Sequence, residues 1–125
     1  MKILVVDDSI LDRKLLIRIL MKAEITQEIL QAEDGEQALA VLAENYKDIC
    51  LILLDWQMPK LSGIELLAGV VKIPQLAVIP VIMVTASGSD DNKKQAYDIN
   101  PALAGYIVKP YKAEDLLAAI KPHLK

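Results

Sequence analysis

The sequence predicts an α/β fold, a doubly wound, five-stranded parallel sheet flanked by five helices. Three observations predict it. Short apolar runs alternate with longer stretches whose apolar residues recur at helical spacing. One run, residues 49–54, is continuously apolar, as a strand covered on both faces must be. Four runs end in a polar residue: residues 3–6 lead into Asp7 and Asp8, residues 49–54 into Asp55, residues 81–84 into Thr85, and residues 106–108 into Lys109. The carboxyl ends of parallel strands share one edge, where ligands bind. Three carboxylates, a hydroxyl and an ammonium should meet there.

The elements follow in order. Residues 2–6 read as a buried strand, and residues 11–22 as a helix with Leu11, Leu15, Leu16, Ile19 and Leu20 on one face. Residues 28–32 form a more polar strand, expected at a sheet edge. Asp34 followed by Gln37 resembles a capping box and opens a helix through Asn45. After the apolar third strand, Ser62 and Glu65 repeat that signature for a helix to about Val71. Pro74 and Pro80 bracket a connection, because proline supplies no ladder donor, and the fourth strand starts after Pro80. Gly88 breaks the chain, Ser89 or Asp90 caps a polar helix to Ile99, and Asn100-Pro101 ends it. Tyr106 opens the last short strand, and a final helix carries Leu116, Leu117 and Ile120 up to Pro122.

These β-α units fill residues 1–125 and leave no room for a second domain, repeat or linker. At 125 residues, with 54% hydrophobic and 25% charged content, the chain has the commonest size of a single compact domain. A net charge of −3 gives no basic surface for nucleic acid or an anionic membrane. No apolar stretch approaches the roughly 18 residues of a membrane span, and Met1-Lys2 leads straight into a strand without signal-peptide architecture. Cys50, the one cysteine, lies in the most apolar run and reads as an inert buried thiol in a reducing, cytoplasmic setting.

The chemistry lies at the strand ends. Asp7, Asp8 and Asp55 would repel one another unless a cation sat among them. Oxygen-only ligands suit a hard ion such as Mg2+, whereas zinc would want the buried Cys50 or the distant His123. Each residue also has a plainer explanation. Asp7-Asp8-Ser9 suits a helix N-terminus, Thr85 a turn, and Lys109 a solvated charge. Their coincidence at four strand ends favours a site.

The segments Val5-Val6-Asp7-Asp8-Ser9, Leu54-Asp55-Trp56-Gln57-Met58-Pro59 with Gly63, Val84-Thr85-Ala86, and Tyr106-Ile107-Val108-Lys109-Pro110 occur in this order across nearly the whole chain. This combination resembles the response-regulator receiver domain, the phosphoacceptor half of two-component signalling. The resemblance implies a flavodoxin-like sheet of order 2-1-3-4-5. It makes Asp55 the nucleophile that accepts a phosphoryl group from a histidine kinase or histidine phosphotransfer protein. Asp8, Asp55 and the backbone carbonyl of Gln57 would hold Mg2+, with Asp7 acting largely through a coordinated water. Lys109 would meet a phosphoryl oxygen, aimed by a cis bond to Pro110, and Thr85 would donate its hydroxyl. Thr85 and Tyr106 would form a switch altering the face of the fourth helix, fifth strand and fifth helix, where a downstream protein target binds. Gln57 and Ser87, each two residues beyond a site residue, would tune the acyl-phosphate lifetime.

Rival families fit poorly. A haloacid-dehalogenase-like phosphotransferase would want an acid where Gln57 stands, and neither the Rossmann nor the P-loop glycine pattern follows a strand. A receiver-like module that docks a partner without phosphorylation is the remaining alternative, and the complete set Asp7, Asp8, Asp55, Thr85 and Lys109 argues against it. With no output domain after Lys125, the expectation is a stand-alone, cytoplasmic regulator that catalyses its own aspartyl phosphorylation and signals by contact.

Overall fold

The computed structural model describes residues 1–124, so the expectation tied to the end of the chain at Lys125 lies outside them. Five parallel strands, β1 (Lys2–Val6), β2 (Glu28–Ala32), β3 (Ile49–Leu54), β4 (Val81–Thr85) and β5 (Gly105–Val108), form one sheet of order β2-β1-β3-β4-β5. That is the order the resemblance implied. The helices are α1 (Ile10–Lys22), α2 (Gly35–Asn45), α3 (Gly63–Val70), α4 (Pro74–Ala77), α5 (Asp90–Ile99) and α6 (Ala113–Ile120), with a 3-10 turn at Lys121–His123. The expected five helices are present, and α4 is an added single turn. Pro74 at its start supplies the preset φ that favours a first helical turn, so the segment between the prolines coils briefly where the sequence suggested only a connection. The fourth and fifth helices of the sequence prediction are therefore α5 and α6.

The pleat divides the core. Leu4 and Val6 of β1 face a cluster with Ala38 and Leu42 of α2, Leu66, Leu67 and Val70 of α3, and Ala96 of α5. Ile3 and Val5 face the opposite cluster with Leu16 and Leu20 of α1 and Leu116 and Ile120 of α6. Every residue of β3 is buried, as its unbroken apolar run requires of a central strand with helices on both sides.

Two local details differ from the sequence prediction. The inward face of α1 is Leu16 and Leu20 with Arg13, while Leu11 and Leu15 are 75% and 53% exposed. The core-facing stripe thus runs through Arg13, whose guanidinium donates to the backbone carbonyl of Asp7 and to Gln31 Oε1. At α2 the capping box is only half formed. Asp34 accepts from the backbone N–H of Gln37 at 2.8 Å, but the Gln37 side chain reaches back to the N–H of Glu33, not to that of Asp34. At α3 the reciprocal box of Ser62 and Glu65 is complete.

Candidate functional site

The register aligns the site. Val6 of β1 lies opposite Leu54 of β3, so Asp7 and Asp55 leave the sheet side by side. Each extends the ladder by one bond: Asp55 N–H donates to Val6 O at 2.9 Å, and Asp7 N–H to Ala32 O at 3.1 Å. Thr85 is the last residue of β4, and Lys109 leaves β5 while its N–H donates to Thr85 O at 2.9 Å. The Lys109-Pro110 peptide is cis, as the resemblance implied. β3 and β4 are buried along their whole length and β1 at all but its first residue, so the side chains at their ends stand on the packed centre of the sheet.

Asp7, Asp8, Asp55, Thr85, Ser87, Gln57 and Lys109 line one cleft, together with Asp12 and Ala86. Carboxylate oxygens of Asp7, Asp8 and Asp55 all lie within 4.8 Å of one another, with Asp7 buried and Asp8 exposed to solvent. Three hard oxygen donors in that space, one open to water, fit a divalent cation that keeps part of its hydration shell.

The two carboxylate oxygens of Asp55 have different neighbours. Its Oδ1 accepts the backbone N–H of Trp56 at 2.8 Å, and its Oδ2 lies 3.8 Å from Lys109 Nζ. Burial pushes the Asp55 carboxyl up to about 6, and the neighbouring Asp7 charge adds to the rise. Lys109, the Trp56 N–H and the Thr85 hydroxyl oppose it. Gly63 permits the loop that follows: its N–H donates to Trp56 O at 2.7 Å, and a Cβ there would stand 1.7 Å from the Asp55 carbonyl oxygen. Trp56, in the loop after β3, is buried in the core.

Lys109 is the electrostatic centre of the cleft. Its ammonium donates to Asp7 Oδ2 at 2.6 Å and to Asp12 Oδ2 at 2.8 Å. Burial alone would lower its pKa, but the hydrogen bonds to Asp12 and Asp7 and the charge of Asp55 outweigh it and hold the group above its ordinary value.

Thr85 and Tyr106 are also connected. The Thr85 hydroxyl accepts the N–H of Ser87 at 3.1 Å. The Tyr106 hydroxyl donates to the Ser87 carbonyl, Asn92 of α5 donates to the Ser87 hydroxyl, and the Lys93 ammonium lies 5.9 Å from the Tyr106 ring centroid. Tyr106 is half-buried against the core. Ser87 thus joins Thr85, Tyr106 and α5.

Sequence reasoning missed Asp12 and Arg13. The available signal was position: Asp12 stands three residues after the helix cap Ser9, whose hydroxyl accepts its N–H at 3.2 Å, so its side chain rises beside the strand ends. Arg13 falls on the buried stripe, where a charge needs a partner at the site.

The response regulator receiver domain family matches residues 3–121. The phosphate regulon transcriptional regulatory protein PhoB of Pseudomonas aeruginosa is 42% identical over 124 residues, which span 98% of this chain and 51% of that protein. This chain thus spans about half of that relative. Among solved structures, the chemotaxis response regulator CheY4 of Vibrio cholerae superposes with a TM-score of 0.84 at 31% identity, covering 98% of each chain. The Mn(2+)-bound form of response regulator Rcp1 superposes with a TM-score of 0.79 at 32% identity, covering 97% of this chain and 89% of that one.

Proposed function

This chain belongs to the response regulator receiver domain family, and from that premise we propose that Asp55 accepts a phosphoryl group in a Mg2+-dependent reaction and that the added charge resets the α5-β5-α6 face. One observation carries the proposal: Asp55 presents Oδ2 to a cleft where Asp7, Asp8, Thr85 and Lys109 converge from three other strand ends.

The donor is a histidine kinase or a histidine phosphotransfer protein. Asp55 Oδ2 attacks phosphorus, an O–P bond forms as the N–P bond of phosphohistidine breaks, and the electron pair returns to the imidazole nitrogen. Asp7, Asp8, Asp55 and the Gln57 carbonyl would hold Mg2+, which neutralises charge on the transferred oxygens. The Mn(2+)-bound state of Rcp1 supports a divalent ion in this family. Lys109 meets a phosphoryl oxygen as a point charge, and Thr85 donates its hydroxyl to another. As Thr85 turns, its bond to the Ser87 N–H is lost, and the hold of Ser87 on Tyr106 and α5 changes with it. A downstream protein reads that face. Gln57 and Ser87 line the cleft within reach of an attacking water and tune how long the acyl phosphate lasts.

Incubation with acetyl phosphate and Mg2+ should add one phosphoryl group by intact mass. A chelator or Asp55→Asn should abolish the addition. Equal labelling of Asp55→Asn would sink the assignment.

A further inference from the structure

On the premise that Asp55 is the phosphoacceptor, we propose that Asp12 is a positioning residue for Lys109: it holds the ammonium at the rim of the cleft, short of Asp55, until a phosphoryl oxygen takes its place.

The geometry is specific. Lys109 Nζ is 2.8 Å from Asp12 Oδ2 and 2.6 Å from Asp7 Oδ2, both within hydrogen-bond range, but 3.8 Å from Asp55 Oδ2, beyond it. An ammonium has three N–H donors, and these two carboxylates take two of them. Both ends of the pair are anchored. Asp12 sits in the first turn of α1, where its N–H is capped by Ser9, and the Lys109 backbone continues the β4-β5 ladder. Helix and sheet together, not a flexible loop, set the rest position of the ammonium.

Of the two partners, Asp12 is the one that can be released. Its side chain is 43% exposed against 8% for Asp7, so water replaces its lost hydrogen bond at little cost. Phosphorylation puts up to about two negative charges on Asp55, and the ammonium then gains more from the phosphoryl oxygen than from the solvated Asp12. Asp12 therefore stabilises the unphosphorylated arrangement selectively. Removing its charge should tilt the equilibrium towards the phosphorylated one.

Two measurements on the intact chain test this. With saturating Mg2+, beryllofluoride, a phosphoryl mimic, should bind Asp12→Asn about twofold to fivefold more tightly than the parent by calorimetry, the range expected for one partly exposed ion pair. Asp12→Glu should stay near the parent value. Without metal, the 15N-labelled Lys109 ammonium should give an exchange-protected signal, assigned by its loss in Lys109→Arg. The signal should broaden or vanish in Asp12→Asn and persist in Asp12→Glu. Failure of the parent to bind beryllofluoride would overturn the phosphoacceptor premise itself. With binding intact, equal affinity of Asp12→Asn, or a Lys109 signal that is absent in the parent or unchanged by that substitution, would overturn the positioning role alone.

Discussion

At the scale of single residues, burial makes the ionised form of Asp55 costly. Its carboxyl rests at about 6 against an ordinary 3.8, chiefly through burial and then through Asp7. A raised carboxyl means the folded state prefers the proton. The ionised form costs stability above about pH 6, and the cost fades as pH falls through 6 towards 3.8, where the unfolded chain is protonated too. Metal-free Asp55→Asn should accordingly be more stable than the parent near pH 7.5 by about 1 to 3 kcal/mol in denaturant unfolding, with the gap closing near pH 4. A gap independent of pH would show that the carboxyl is not strained. Gly63 makes a second residue-scale test. Gly63→Ala places a methyl against the Asp55 carbonyl and should cost several kcal/mol or displace the loop, read as lost stability together with lost phosphorylation. Asp7, Asp8, Asp55, Thr85 and Lys109 were legible in the sequence because each follows an apolar run that can only be a strand. Asp12 was not, because a carboxylate in the first turn of a helix looks like an ordinary response to the helix dipole. Its partner lies 97 residues away, and periodicity carries no information about such contacts.

At the scale of elements, boundaries were legible where a side-chain cap fixed them, as at Ser62 and Ser89, whose side chains accept the expected N–H groups. The orientation of α1 was less so. Leu11, Leu15, Leu16, Ile19 and Leu20 span more of the helix surface than the sheet can cover, and pattern alone does not say which edge of the stripe goes in. Packing decides: Leu16 and Leu20 face the sheet, and Arg13 takes the next inward position because the Asp7 carbonyl and Gln31 give its guanidinium partners. Leu16→Ala should therefore cost about 2 to 5 kcal/mol, the range for a buried leucine, while Leu11→Ala should change stability by less than about 0.5 kcal/mol. Similar costs for the two in urea unfolding would contradict the orientation. The α4 turn escaped the sequence prediction because four residues show no period.

At the scale of the whole molecule, the strand order could not be read from periodicity, which makes strands but does not rank them. It came from resemblance to a family, and the sheet has that order. What the order achieves is convergence: β1 and β3 are neighbours, as are β4 and β5, so residues 7, 55, 85 and 109 meet at one edge while both faces stay buried. Among the described residues no helix is long and apolar enough to cross a membrane. A cation bound at that edge should stabilise the entire fold by mass action, by about 2.7 kcal/mol at a hundred times its Kd. A Mg2+ titration should show this as a rising Tm and a change in Trp56 fluorescence, and both should weaken in Asp55→Asn. The central claim is that Asp55 itself becomes the acyl phosphate. The direct measurement is borohydride reduction of chain phosphorylated with acetyl phosphate and Mg2+, followed by peptide sequencing by mass spectrometry. Homoserine at position 55 and nowhere else is the predicted result; an unreduced Asp55, or homoserine at Asp7, Asp8 or Asp12, would contradict it.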